Sequence, residues 1–268
     1  MAPRNLDRLT RVYGPATWNV YAQLDLSIDP PGPDSLHELA AEYLRPSALV
    51  LDAGCRDAEH LIRLVQANEV TGVGVEPVEI HAESARAAVS AAGLDERITL
   101  LRGVLHDLPY PDECFDLVWC RDVVPQVDDL SGGLAELQRV MKPDARLLVY
   151  TTFATDRLDG GDAELMRRHL GNVDANLDMR FAEATFEGVG LGVERKEVVG
   201  TTWREYAEER TQPVSKALLR LSRLRRRRGE IIATHGQDIY EHIEANLHWE
   251  VFMFLGKLEP VVYVLTKR

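Results

Sequence analysis

Little in this chain would staple or anchor it. Its 268 residues include three cysteines, Cys55, Cys114 and Cys120, too few for a disulfide scaffold. Two of them lie in apolar, strand-like sequence, where a reduced buried thiol is expected. No apolar run approaches the ~20 residues that span a membrane. No apolar stretch follows Met1-Ala2-Pro3-Arg4, so no secretory signal is read there and a cytoplasmic protein is expected. Positive charge is in deficit. Lys and Arg number 31 against 43 Asp and Glu, a net charge of −12, where a general nucleic-acid binder is more often basic. The rest is ordinary: 45% hydrophobic and 28% charged residues exclude disorder as the dominant state. The length suits one large α/β domain or two small ones.

From about residue 47 the chain alternates. Ala48 to Asp52 reads as a buried strand, Ala58 to Gln66 as a helix, and Val70 to Val75 as a strand ending at Glu76-Pro77. Ile80 to Ala92 reads as a helix stopped by Gly93, followed by strands at Ile98–Leu101 and Phe115–Cys120. A helix over Leu134–Met141 and a strand over Arg146–Thr151 complete the run. Such alternation implies right-handed βαβ units on a parallel sheet. Before it, Asp7 to Leu24 shows a helical pattern broken at Gly14-Pro15. After it, Leu158 to Leu177 reads as partly helical and Arg180 to Val189 as a helix. Leu191 to Val199 reads as a strand, Trp203–Arg228 and Asp238–Leu255 as long helical stretches, and Pro260–Leu265 as a last strand.

The sharpest signal is Val50-Leu51-Asp52-Ala53-Gly54-Cys55-Arg56-Asp57-Ala58, then Gly72-Val73-Gly74-Val75-Glu76-Pro77. A strand running into a tight turn and a helix presents free N–H groups at the helix start. Gly54 lets backbone approach a ligand closely. Glu76 ends the neighbouring strand, where an acid accepts hydrogen bonds from ribose hydroxyls in dinucleotide-binding folds.

These segments resemble the class I S-adenosylmethionine-dependent methyltransferases, whose first motif is hydrophobic-Asp-x-Gly-x-Gly-x-Gly. The resemblance continues through Leu108-Pro109-Tyr110-Pro111-Asp112 and Phe115-Asp116, and through Leu137-Gln138-Arg139-Val140-Met141-Lys142-Pro143. It covers about residues 48–152. It implies an α/β fold: a doubly wound, mostly parallel, seven-stranded Rossmann-like sheet with helical lid insertions, its last strand antiparallel. Residues 1–46 would be an N-terminal helical cover. Residues 47–199 and 259–268 would be the core, and 200–258 an inserted lid. The implied cofactor is S-adenosyl-L-methionine, and the partner a small-molecule acceptor, not a nucleic acid or a membrane.

There are departures from the family pattern. Arg56 and Ala58 stand where the motif has its second and third glycines, so Arg56 must adopt a non-glycine conformation or shift the loop. Its guanidinium either holds the methionine carboxylate or faces solvent. Val104 replaces the acid that meets the adenine amino group, leaving recognition to the backbone of Leu105 and apolar packing. Val124-Pro125-Gln126-Val127 replaces a Glu-His pattern, removing one base and leaving Gln126 as a polar contact. No acid follows Thr151-Thr152-Phe153 until Asp156, against a catechol-type metal site.

The expected cofactor contacts are Asp52, Gly54, Arg56, Glu76, Pro77, Val104, Leu105, Cys120, Arg121 and Gln126. The expected base is Asp122, alternatively a helix cap, with His106 and His248 as further candidates. Trp18, Tyr21, Trp203 and Trp249 fall in the cover segments, to stack on an acceptor or to pack a core. The run Arg225-Arg226-Arg227-Arg228 ends a stretch with Leu218, Leu219, Leu221 and Leu224. It fits a solvated amphipathic helix, a polyanionic acceptor or an acidic membrane surface. The expected reaction is O-methylation of a sugar or decorated natural product. The alternatives are a cofactor-binding cyclase without methyl transfer and a non-catalytic module.

Overall fold

The computed structural model describes residues 6–268; the first five residues of the expected 1–46 cover lie outside it. The apolar runs form strands β1 (Leu49–Ala53), β2 (Thr71–Glu76), β3 (Ile98–Arg102), β4 (Phe115–Arg121), β5 (Met141–Ala154), β6 (Leu191–Val198) and β7 (Leu258–Lys267). They make one seven-stranded sheet in the order β3-β2-β1-β4-β5-β7-β6. Neighbours are parallel except β7, which runs antiparallel to β5 and β6. This is the expected doubly wound architecture, antiparallel last strand included.

Period-two alternation divides the strands between two cores. Val50, Leu117, Trp119, Leu148, Val262 and Val264 pack on one face. Leu51, Val118, Cys120, Leu147, Val149 and Tyr263 pack on the other. The first face is covered by α3 (Ser35–Tyr43), α4 (Glu59–Ala67) and α5 (Glu79–Ala91). Each buries residues three or four apart: Leu36, Leu39 and Ala40; Leu61, Leu64 and Val65; Ala82, Ala85 and Val89. The second face carries α6 (Leu130–Val140) and α8 (Met179–Gly188).

Several boundaries differ from the sequence reading. Helix α6 starts at Leu130, not Leu134, because Asp129 accepts the N–H of Gly132 and draws the glycine pair into the helix. The single stretch expected over Trp203–Arg228 is broken into α9 (Thr202–Thr211) and α10 (Pro213–Arg226), with α11 (Arg228–His235) following. Pro213 cannot continue a helix from Gln212, which turns left-handed at φ 53°. Helix α12 (Gln237–Phe254) buries two sides. Ala245, Phe252 and Met253 meet Met166 of α7 (Gly160–Leu170), while Tyr240 and Leu247 meet α10.

The N-terminal stretch also divides. Helices α1 (Leu6–Val12) and α2 (Pro15–Leu24) break at Gly14-Pro15 as expected, but α2 buries no residue. Only α3 joins the core.

The turn after β1 fixes the sheet's open edge. Gly54 has φ 81°, and a Cβ there would lie 2.4 Å from Val123 Cγ2. Arg56 and Ala58, at the two substituted glycine positions, also take left-handed backbone, at φ 50° and 60°. Contrary to the expectation for Arg56, two residues with side chains adopt the conformation glycine favours. Gly54→Ala should therefore lose roughly 2–4 kcal/mol in denaturant unfolding. Arg56→Gly should stay within about 1 kcal/mol of the parent, because relief of strain and chain freedom offset. Equal losses would contradict this reading of the turn.

Candidate active site

The order of strand addition reverses between β1 and β4, where doubly wound sheets open a ligand crevice beyond the C-terminal strand ends. Here the crevice is a cavity of about 800 Å³. Asp52, Gly54, Glu76, Trp119, Arg121 and Asp122 come to it from the ends of β1, β2 and β4. Leu170 of α7, Arg204 of α9 and Trp249 of α12 line it from the helical side.

On the β1–β2 side, two strand ends are tied together. The N–H groups of Gly54 and Cys55 donate to the carbonyl of Val75, at 2.9 and 3.0 Å. The Glu76 carboxylate accepts from the N–H groups of Arg56 (3.0 Å) and Val78 (2.9 Å), one on each oxygen. Each oxygen retains a lone pair for a ligand hydroxyl. Asp52 is 3% exposed. Burial pushes its carboxyl up to about 8, against the pull of Arg121 and with help from Glu76 and Asp57. A cationic ligand group beside it would restore the charged form. A buried acid for a cation and an acid for vicinal hydroxyls fit a cofactor that carries a ribose and an amino group.

On the β4 side, Asp122 sits at φ 56°, a left-handed conformation that Asp tolerates better than most residues. Its side chain is half open to cavity water, yet protein surrounds it. That desolvation pushes its carboxyl up to about 6, opposed by Arg121 and Arg204. The Arg121 guanidinium donates to His60 Nε2 at 2.7 Å, lies 5.3 Å from the centre of the Tyr150 ring, and approaches Asp122 at 3.6 Å. Burial, reinforced by Arg121, holds His60 neutral, down to about 3. His60 can therefore accept from Arg121 and donate through Nδ1 to His37 Nε2, 3.3 Å away. Behind Asp122, Tyr150 stacks on Trp203 with centroids 5.0 Å apart, and Arg204 pairs with Glu250 of α12.

The expected residues Asp52, Gly54, Arg56, Glu76, Pro77, Val104, Leu105, His106, Arg121, Asp122 and Gln126 all line the cavity. His106 packs against Gly132 and Gly133 and hydrogen-bonds the Asp129 carbonyl at 2.7 Å. Gln126 donates to the Leu170 carbonyl at 2.9 Å.

Two expectations are corrected. Cys120 is 2% exposed and faces the opposite side of β4 from Trp119 and Arg121, inside the α6 core. His248 lies outside the cavity. Its Nδ1 donates to the Glu244 carbonyl at 2.7 Å and its Nε2 accepts from Arg225 of α10 at 3.1 Å. The cavity face of α12 carries His242, Asn246, Trp249 and Glu250 instead. His60, Trp119 and Arg204 were not singled out from the sequence. His60 had a usable signal, since it lies in the first turn of the helix after the glycine turn.

A buried acid held above its unfolded pKa stabilises the fold while protonated and loses that contribution as pH rises from about 4 to 8. Asp52→Asn should therefore be more stable than the parent to denaturant unfolding at pH 8, by on the order of a few kcal/mol. The gap should shrink toward pH 5. A gap independent of pH would place the Asp52 pKa elsewhere.

Residues 51–149 match the family described as "Methyltransferase domain". The chain is 29% identical over 171 residues to 27-O-demethylrifamycin SV methyltransferase of Amycolatopsis mediterranei, covering 62% of this chain and 63% of that protein. It is 30% identical over 132 residues to a sterol 24-C-methyltransferase of Gibberella zeae, covering 47% of this chain and 33% of that one. The chain thus spans less than two thirds of either relative. The solved structure of the cyclase SpnF superposes with a TM-score of 0.69 at 19% identity, covering 87% of this chain and 81% of that one. That likeness is one of fold. The domain match and the relatives agree that residues 51–149 form a methyltransferase domain, and the seven-stranded sheet built around them is consistent with it.

Proposed function

We propose that this chain methylates a hydroxyl oxygen of a small natural-product acceptor, with Asp122 as the general base. The observation that carries the proposal is the Asp122 carboxyl, facing the cavity from the end of β4 and raised to about 6. A base poised near the operating pH is deprotonated and still basic enough to take a proton. The 27-O-demethylrifamycin SV methyltransferase, whose name records O-methylation of a natural product, supports the acceptor class.

When bound, the cofactor supplies an electrophilic sulfonium methyl. Asp52 and Glu76 would hold its amino group and ribose, and Val104 and Leu105 its adenine. Asp122 would accept the acceptor hydroxyl proton on a carboxylate oxygen as that hydroxyl loses it. Arg121 and Arg204 limit how far burial raises Asp122, so the base stays charged at neutral pH. The helical wall of α7, α9 and α12 would screen the reacting atoms from bulk water once acceptor and cofactor fill the cavity.

The test uses methyl-labelled cofactor with a panel of hydroxylated natural products. Turnover should rise with pH through about 6 and then level, because only the deprotonated Asp122 works. Asp122→Asn should lose about 10²–10⁴-fold in turnover and bind S-adenosylhomocysteine like the parent. Normal turnover by Asp122→Asn would reduce Asp122 to a structural residue. Conversion of an acceptor with no label in the product would favour the cyclase alternative.

A further inference from the structure

Two features outside the cavity run against the character of the rest of the surface. The first is apolar. Leu6, Leu9 and Val12 recur along α1, and Trp18, Tyr21 and Leu24 along α2, each set at helical spacing on one side. All are exposed: Trp18 is 62% and Leu24 73% open to solvent. Leu26 and Ile28 follow in the chain, likewise exposed. Single exposed apolar residues need no explanation, but these eight between Leu6 and Ile28 do.

The second is basic. Helix α10 buries Val214, Ala217, Leu221 and Leu224 against α12. Its outer side carries Lys216, Arg220, Arg223 and Arg226, none of them in an ion pair among the described residues, with Leu218 and Leu219 exposed beside them. In a chain of net charge −12, four unpaired cations within three helical turns are a local reversal of sign.

The two features meet at α9. Ser27 donates to Glu209 at 2.8 Å, Asp29 faces Arg210 at 3.5 Å, and Gly32 sits under the Tyr206 ring. The end of the apolar segment is thus moored to the helix that leads directly into α10.

We propose that α1, α2 and α10 together form a docking surface for an anionic phospholipid membrane, on which the protein lies without crossing. Aromatic side chains with polar tips, aliphatic side chains and unpaired cations are the composition of interfacial helices. Among the described residues no helix is long and apolar enough to cross a membrane, so the contact is peripheral. A second copy of the chain fits less well, because a two-fold interface through α10 would bring its cations against their own copies. Each Lys or Arg near an anionic surface contributes about 1 kcal/mol, close to fivefold in partitioning. The apolar patch adds burial that salt does not screen.

The experiment is flotation of the full chain with vesicles of phosphatidylcholine alone and of equal parts phosphatidylcholine and phosphatidylglycerol. The parent should float with the mixed vesicles, more weakly as salt rises, and far less with the neutral ones. The combined variant Lys216→Glu, Arg220→Glu, Arg223→Glu, Arg226→Glu should lose at least about fivefold in binding per charge removed. Trp18→Ser, Tyr21→Ser, Leu24→Ser should lose about tenfold or more. All the changed side chains are exposed, and unchanged melting and S-adenosylhomocysteine binding would confirm that both variants fold. No flotation by the parent, equal flotation with both vesicle types, or parent-like binding by either variant overturns the proposal. So does a dimer mass in light scattering that the apolar variant abolishes while no vesicles bind; that result would give the surface to a second copy.

Discussion

The cavity depends on one buried carboxylate. Glu76 closes β2, is 6% exposed, and takes the N–H groups of Arg56 and Val78 on its two oxygens. It thereby holds the turn after β1 against the end of β2. Gly54, with no room for a Cβ beside Val123, sets the path of that turn. Asp52 and His60 lie before and after it, and both reach the cavity. The two non-glycine residues at left-handed φ, Arg56 and Ala58, are strained positions. Such positions persist where surrounding contacts over-determine them, as the Glu76 carboxylate does for the Arg56 N–H.

Burial then acts in opposite directions on the acids of this cavity and on the histidine pair beside it. It raises the carboxyls of Asp52 and Asp122, to about 8 and about 6, and lowers His37 and His60, to about 4 and about 3. In every case the charged form is disfavoured. Arg121 lies among them. It lowers Asp52 and Asp122 and donates to the neutral His60. The site thus carries in Asp52 a buried acid that a cationic ligand group can ionise, and Asp52 contributes less to the stability of the fold as pH rises.

The sheet was legible because buried parallel strands read as continuous apolar runs and their order follows from βαβ handedness. The turn, Glu76 and the crevice followed from the spacing of one motif. What was not legible depends on which way a side chain faces. Cys120 and Trp119 are adjacent and both apolar, so only the register of β4 shows that Trp119 and Arg121 share the cavity side. Helix α12 is apolar on two sides, and its pattern could not show that His242 and Glu250 face the cavity while Glu244 and His248 face α10. Arg204 and Glu250 are 46 residues apart and meet only through the packing of α9 on α12. The exposure of α1 and α2 was equally hidden, since an amphipathic pattern records an apolar side and not what covers it.

The most direct check that this crevice is the cofactor site is calorimetric titration of S-adenosylhomocysteine into the parent and Glu76→Ala. Two hydrogen bonds from ribose hydroxyls to a carboxylate are worth about 1.5–3 kcal/mol each. The parent should bind, and Glu76→Ala should bind at least about tenfold more weakly while still unfolding in one cooperative transition. No binding by the parent, or the same affinity in both proteins, would remove Glu76 and the β1–β2 crevice from cofactor recognition.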